Sequence, residues 1–124
     1  MAITTSDRIR GLLFGLAAGD QIGGPIRMAM ELSKSLLLNN SFDEKSVLRH
    51  YYAWWDKAGF DTGYVAHNVF QKMKQGKLNH EAVEEVHHLT GEMTGGCNPM
   101  HRAFPLVLLN PTFVEVISQA TKDA

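Results

Sequence analysis

Apolar residues near the start of the chain recur at helical spacing. Between Asp7 and Ala18, apolar positions follow the i, i+3, i+4, i+7, i+8 pattern of one buried helical face. These positions are Ile9, Leu12, Leu13, Leu16 and Ala17. Ser6 is suited to cap the helix, and Asp7 in the first turn interacts favourably with the helix dipole. The pattern predicts a first helix over residues 7–18 with one face packed against the protein.

A break at Gly23-Gly24-Pro25 separates this helix from the next one. Because proline suits a first helical position, a second helix is predicted from Ile26 to Leu38. Asn39 and Asn40 follow it, and asparagine tolerates the left-handed backbone of a helix exit. We therefore expect the second helix to end at these asparagines.

The stretch Ser41-Phe42-Asp43-Glu44 has a capping-box pattern, with serine at the cap and glutamate three residues later. Apolar and aromatic positions then repeat at helical spacing as far as Gly59. They are Val47, Leu48, Tyr51, Trp54 and Trp55. A third helix is predicted here, with one of the adjacent tryptophans in the core and the other half-exposed.

The rest of the chain predicts three more helices. One starts at Asp61-Thr62 and ends at Gly76, one is capped by Asn79, and the last opens at Asn110-Pro111-Thr112. Their inward positions are Val65, Val69, Phe70 and Met73, then Val83, Val86 and Leu89, then Phe113, Val116 and Ile117. Residues 90–98 are glycine-rich and aperiodic, which predicts a loop, and residues 104–109 form a short apolar segment. Since no stretch alternates as a strand does, the predicted fold class is all-α.

Composition narrows the protein class without naming a function. The length of 124 residues fits one domain, and 44% hydrophobic with 20% charged residues is ordinary for a soluble chain. The formal net charge is −1, and no basic stripe is interleaved with aromatics, so no nucleic-acid partner is expected. No apolar run approaches about 18 residues, so no membrane partner is expected. The single cysteine, Cys97, excludes an internal disulfide, and a cytoplasmic location is expected.

Gly11, Gly15, Gly19 and Gly23 recur at every fourth position. A glycine inside a helix costs about 1 kcal/mol relative to alanine, so the row requires a reason. Residues four apart share a helical face, and the first three glycines would leave a groove without side chains. We expect this groove to let another helix pack closely, with contact to a ligand as the alternative.

Four stretches of sequence resemble the ADP-ribosylglycohydrolase family. RIRGLLFGLAAGDQIGGP matches its opening Arg-x-x-Gly-x-x-x-Gly-x-Ala-x-Gly-Asp pattern and the turn that follows. MELSKSLLLNNSFD, YYAWWDKAGFDTG and TGGCNPMHRAFPL match later segments in the same order. The four are spread along the chain between residues 8 and 106. The resemblance implies a partial ADP-ribosylglycohydrolase-like helical domain over residues 1–124, an orthogonal multi-helix bundle like part of the family's fold.

The resemblance also implies a chemistry and a binding loop. In the family a pair of magnesium ions, held by oxygen ligands, activates water to cleave the bond between ADP-ribose and a side chain or small molecule. The matched loop implies a substrate-binding set of Gly95, Gly96, Asn98, His101 and Arg102. Asparagine would bind hydroxyls, and arginine or the glycine backbone would bind a diphosphate. For Arg102 the alternative is a structural pairing with a carboxylate or with loop carbonyls.

Two departures from the family pattern bear on catalysis. Its Thr-Asp-Asp-Thr metal motif is absent, because Gly24-Pro25-Ile26-Arg27 runs directly into the second helix. The family's second half, which carries further metal ligands, has no counterpart in this sequence. Glu81, Glu84 and Glu85 share a helical face that we interpret as solvated surface. No metal or other cofactor is therefore predicted for this chain, although the family uses magnesium, and no catalytic residue is assigned.

Three functional hypotheses follow. Family membership implies a hydrolase of ADP-ribosyl glycosidic bonds, expected to be inactive in this truncated form. The alternatives are a module that binds ADP-ribose or a nucleotide without catalysis, and a truncated product without a function of its own. Expected partners are ADP-ribose or an ADP-ribosylated substrate, and further copies of the chain joined through exposed apolar helix faces.

Overall fold

The computed structural model describes residues 2–109 and 112–124. Within them lie seven α-helices and one 3₁₀ helix, Phe104–Leu109. The α-helices are α1 (Thr5–Gly19), α2 (Gly24–Asn39), α3 (Glu44–Ala58), α4 (Tyr64–Lys74), α5 (Asn79–Leu89), α6 (Asn98–Arg102) and α7 (Phe113–Asp123). The described residues include no strand, which confirms the all-α prediction. None of these helices combines the length and the apolar character that a membrane span requires.

The core forms where α2 packs along α3. Each helix buries residues at successive i+4 positions, and α4 and the 3₁₀ helix each add one. The buried set is Met28, Leu32 and Leu36, then Val47, Tyr51 and Trp55, then Phe70 and Leu106. Trp54 is only half-buried, so the predicted division of labour between the tryptophans is confirmed. Full burial of a leucine-sized side chain contributes about 1.5–3 kcal/mol to stability, which makes this seam the main source of folding free energy.

The predicted exit of α2 is confirmed, but the helix starts at Gly24, two residues before the predicted Ile26. Pro25 lies in the first turn, and Asn40 has the left-handed backbone of a helix exit, with φ of 50°. Two carboxylates satisfy backbone N–H groups at the N-terminus: Ile26 N donates to Asp20 Oδ2 at 2.8 Å and Gly24 N donates to Asp61 Oδ2 at 3.3 Å. A Cβ at Gly24 would overlap the Asp61 carbonyl, so this glycine permits a close approach of backbone to backbone.

The predicted caps of three helices are wrong: those of α1 and α3 by two residues, and that of α5 by one, because its N-cap is Leu78 rather than Asn79. Helix α1 is capped by Thr4 rather than Ser6, and Thr4 and Asp7 exchange backbone and side-chain hydrogen bonds. Helix α3 is capped by Asp43 rather than Ser41, with Ser46 N donating to Asp43 Oδ1 at 3.0 Å. Each stretch contains more than one residue able to cap, and the register that buries the apolar face of α3 selects among them.

Helices α4 and α5 pack together and form a second apolar cluster of Val69, Ala82 and Val86. Helix α4 starts at Tyr64, three residues after the predicted Asp61. The inward face predicted for α5 is wrong at two of its three positions, because the side chains of Val83 and Leu89 are 48% and 68% exposed. Ala82, whose small side chain lets α4 approach, takes their place.

Helix α1 does not bury the face that its pattern predicts. It contains no fully buried residue. Of the predicted positions, Ile9, Leu13 and Leu16 are half-buried, while Ala17 is exposed and Leu12 is 52% exposed. A Cβ placed on Gly11, Gly15 or Gly19 would meet nothing within 4 Å. The expected close packing of a helix against the glycine row is therefore wrong.

The C-terminal part contains two helices that were not predicted, α6 and the 3₁₀ helix Phe104–Leu109. Residues 90–97 form the expected loop, but Asn98–Arg102 continue it as α6, which packs against α2. Thr112 caps α7 together with Glu115, while the predicted Asn110-Pro111 opening lies outside the described residues. Along α7, Val116 is half-buried and Ile117 is 51% exposed, so the inward prediction is wrong for Ile117. The side chain of Phe113 is not described.

Candidate functional site

A cleft of about 690 Å³ opens beside α6. Its walls come from α3, α4, α5, the loop 93–97, α6 and the last turn of α7. Most of the lining is apolar or aromatic and includes Phe42, Tyr51, Tyr64 and Phe70. Small-molecule sites in proteins commonly have volumes of about 300–1,000 Å³, with apolar walls and a few placed polar groups. This cleft therefore has the size and lining of a ligand pocket.

Four of the five residues predicted from the matched loop line this cleft: Gly95, Gly96, Asn98 and Arg102. Asn98 and Arg102 lie four residues apart on α6, so they share one helical face. The fifth, His101, lines a different and shallower depression, which we call the α1 groove. The α1 groove consists of Gly11, Leu12, Gly15, Leu16, Met100, His101 and Phe104.

The guanidinium of Arg102 is held by a buried carboxylate. Arg102 Nε donates to Asp123 Oδ2 at 3.0 Å, and Arg102 Nη2 donates to the Asp123 backbone carbonyl. Tyr51 completes the cluster, with its hydroxyl donating to Asp123 Oδ1 at 2.7 Å and its ring 5.1 Å from the guanidinium carbon. The structural pairing considered for Arg102 is thus present, and the group that binds it is the last turn of α7.

Burial has a direct effect on Tyr51. It raises the pKa of the Tyr51 phenol well above its ordinary value near 10, and the negative charge of Asp123 raises that pKa further. The positive charge of Arg102 acts in the opposite direction and does not outweigh them. The phenol therefore remains a neutral hydrogen-bond donor in the folded protein at physiological pH.

Asn98 has one end of its carboxamide fixed and the other unused. Its Nδ2 donates to the backbone carbonyl of Thr62 at 2.9 Å, and Thr62 itself is buried. Its Oδ1 is buried without a hydrogen-bond partner among the described residues. An unsatisfied buried acceptor costs about 1–3 kcal/mol. A hydrogen-bond donor that reached this buried oxygen would remove the cost.

The loop that carries the glycines is tied to α5. His87 Nδ1 lies 3.0 Å from Thr94 Oγ1, which fixes the loop immediately before Gly95. Gly95 and Gly96 are exposed, and a Cβ added to either would have nothing within 4 Å. The backbone here leaves room for a ligand to approach closely.

Among the cleft residues that sequence reasoning missed are the partners of its polar groups: Tyr51, Thr62, His87 and Asp123. Tyr51 was predicted only as part of the core. No local pattern marks Thr62 or Asp123, because their partners lie 36 and 21 residues away in the sequence. The spacing between His87 and Thr94 crosses a helix end, where helical periodicity no longer indicates which residues meet.

The side chains present do not fit the magnesium pair that the resemblance implies. Nowhere in residues 2–109 and 112–124 do three His, Cys, Asp or Glu side chains gather as metal ligands. Asp20 and Asp61 are engaged by the N-terminus of α2. On the acidic face of α5, Glu85 forms salt bridges with Lys72 and Lys77. We therefore derive no step through a metal ion.

Comparison with protein-family models, with curated proteins and with solved structures gives no match for this chain. The resemblance to ADP-ribosylglycohydrolases rests on the four sequence stretches alone.

Proposed function

We propose that the chain binds a small molecule of the ADP-ribose or nucleotide class in the cleft without hydrolysing it. The observation that carries the proposal is the meeting of Gly95, Gly96, Asn98 and Arg102 at one cleft of about 690 Å³. The resemblance of the loop TGGCNPMHRAFPL to the family implies the same four residues without reference to any cavity.

The chemistry of the walls suits the parts of such a ligand. Aromatic side chains, among them Phe42 and Tyr64, offer faces on which a nucleobase can stack. The unpartnered Oδ1 of Asn98 accepts a hydrogen bond from a ribose hydroxyl or an exocyclic amine. The exposed backbone of Gly95 and Gly96 can donate to phosphate oxygens.

Binding rather than hydrolysis is proposed because of how the carboxylates are used. The resemblance implies a hydrolase of ADP-ribosyl bonds, but the segment where the family carries Thr-Asp-Asp-Thr is here the start of α2. The nearby carboxylates of Asp20 and Asp61 accept hydrogen bonds from that helix. We expect little or no magnesium-dependent cleavage by this chain.

Calorimetric titration of the full chain with ADP-ribose tests the binding. We expect saturable heat, and an Asn98→Ala variant that binds about tenfold more weakly, because one hydrogen bond to the ligand is lost. The matched control is Asn68→Ala on α4, whose amide donates only to Tyr64 O within its own helix. No heat from the wild-type chain at millimolar ADP-ribose would refute the proposal.

A second assay separates binding from catalysis. The purified chain is incubated with an ADP-ribosylated protein and magnesium, and free ADP-ribose is measured. We expect no release above the rate without the chain. Magnesium-dependent release that disappears in Asn98→Ala would show that the cleft is catalytic.

A further inference from the structure

The last turn of α7 is anchored by one buried carboxylate. Of the described side chains on α7, only that of Asp123 is buried. Val114 and Ile117 on the same helix are exposed, at 74% and 51%. The carboxylate of Asp123 is entirely inaccessible and forms its salt bridge with Arg102, whose side chain is 7% exposed. Attachment of this turn therefore combines a buried charge pair with the packing of Ala120 against the core.

The same turn forms one wall of the cleft. Lys122, Asp123 and Ala124 all line it, as do Gly95 and Gly96 of the loop 93–97. Movement of this turn would widen the cleft and expose Arg102. In the docked position Asp123 neutralises Arg102, and both residues line the cleft.

A buried guanidinium needs a negative partner, because removing one member of a buried ion pair leaves an uncompensated charge. Asp123 supplies that partner from within the chain. A diphosphate can take its place, because phosphate oxygens accept the same forked hydrogen bonds from arginine as a carboxylate does. Either anion satisfies Arg102, but they cannot both occupy the position.

We propose that Asp123 is an internal competitor for anionic ligands of the cleft. When Asp123 holds Arg102, the α7 turn is docked and the cleft is narrow. When a phosphate-bearing ligand takes Arg102, Asp123 and the α7 turn leave and the cleft opens. The inference rests on the proposed function for the position of the ligand, but it requires only that the ligand carry a diphosphate.

The other charged groups at the cleft affect how strongly an anion is held. Lys122 adds a positive charge beside the pair, Glu44 adds a negative one, and His87 lies on the α5 wall. None of them takes part in the described hydrogen bonds to Arg102 or Asp123. The competition is therefore governed by the Arg102–Asp123 pair.

Calorimetric titration with inorganic pyrophosphate tests the competition. The Asp123→Asn variant keeps the shape and the acceptor for Tyr51 but removes the competing charge. We expect it to bind pyrophosphate at least about tenfold more tightly than the wild-type chain, because charge-assisted hydrogen bonds to Arg102 become available. Asp123→Glu, which keeps the charge, should bind as weakly as wild type, and Arg102→Gln added to Asp123→Asn should abolish the gain.

A distance measurement on a chain that retains Asp123 covers the case in which Asp123→Asn does not fold. Spin labels are placed at Arg49→Cys on α3 and Ser118→Cys on α7, both exposed positions, with Cys97 replaced by serine. Saturating pyrophosphate should lengthen and broaden the distance between the labels. An unchanged distribution, or pyrophosphate affinity that is equal in Asp123→Asn and wild type, would overturn the inference.

Titration with ADP-ribose distinguishes failure of this inference from failure of the proposed function. If ADP-ribose binds wild type and Asp123→Asn equally, the proposed function stands and the competition is refuted. If ADP-ribose binds neither chain while Asp123→Asn gains affinity for pyrophosphate, the competition stands and the proposed ligand class is refuted.

Discussion

The two sides of the short helix α6 differ in almost every physical respect. One side carries Asn98 and Arg102 into a cleft with buried hydrogen bonds and a buried ion pair. The other side carries His101 into the α1 groove, next to a helix with no buried residue. Both sides are lined by apolar residues and glycines, so composition alone does not separate them.

The difference teaches what an apolar repeat does and does not predict. The repeat in α1 and the repeat in α2 both indicate a helix with one apolar face. Only α2 has its apolar face fully covered within the described chain, because α3 carries a complementary face and a short connection brings the two together, whereas α1 touches the 3₁₀ helix and buries no residue completely. Periodicity predicts the helix, whereas burial requires a second surface.

The largest contrast is expected in the stability of leucine variants. Leu32→Ala removes a fully buried side chain from α2 and should lower the free energy of unfolding by about 2–5 kcal/mol. Leu12→Ala on α1 should change it by about 0.5 kcal/mol or less, because the side chain is half-exposed. Urea denaturation followed by circular dichroism measures both. Equal losses would mean that α1 is packed as tightly as α2.

Replacing a glycine by alanine should lower the stability of the chain when the glycine lies in α2 and raise it when the glycine lies in α1. Gly24→Ala places a Cβ against the Asp61 carbonyl and should destabilise by about 1–3 kcal/mol. Gly15→Ala has open space and should stabilise by about 0.5–1 kcal/mol, because alanine is the better helix residue. Thermal melts of the two variants provide the comparison. A destabilising Gly15→Ala would reveal a close contact at the glycine row.

Substitutions at two residues of α6 should affect ligand affinity to very different extents. Asn98→Ala should weaken ADP-ribose binding about tenfold, while His101→Ala, in the α1 groove, should leave it within about twofold. The measurement is the same calorimetric titration for both. A larger loss for His101→Ala would shift the binding site from the cleft to the α1 groove.

The loss of stability at alkaline pH should depend on the buried cluster of Tyr51, Arg102 and Asp123 on the cleft side. The folded chain raises the pKa of Tyr51 above its ordinary value near 10, so the folded state binds this proton more tightly than the unfolded state does. The stabilisation from this proton is therefore complete below about pH 10, where the phenol of the unfolded chain ionises. It is lost as the pH rises from there through the higher pKa of the folded state. Between neutral pH and a pH above 10, Tyr51→Phe should lose less stability than the wild-type chain, and the urea midpoints of both chains at the two pH values measure this. Equal losses of stability in the two chains would mean that a group other than Tyr51 causes the alkaline destabilisation.

Much of the fold was predictable, because α2 and α3 carry regular apolar repeats and recognisable ends. Pro25 at the start of α2 and Asn40 at its exit act through local backbone preferences, which sequence encodes directly. The face of α5 was not predictable, since Ala82 is buried only because α4 lies against it. That choice depends on a helix contributed by another part of the chain.

The candidate site was predictable only in part, for the same reason. The sequence predicts binding residues in the loop and in the segment that forms α6, and four of these five residues line the cleft. The partners of its polar groups come from far away, since Asp123 lies 21 residues from Arg102 and 72 from Tyr51. No spacing rule connects such pairs, so the network that holds Arg102 emerges only from the tertiary fold.

A titration followed by amide nuclear magnetic resonance tests most directly whether the cleft is the binding surface. The isotope-labelled chain is titrated with ADP-ribose, and the shifts of backbone amides on the two sides of α6 are compared. We predict concentration-dependent shifts at Gly95, Gly96 and Asn98, with Gly11 and Gly15 unmoved. Shifts confined to Gly11 and Gly15, or no shifts at all, would contradict the account.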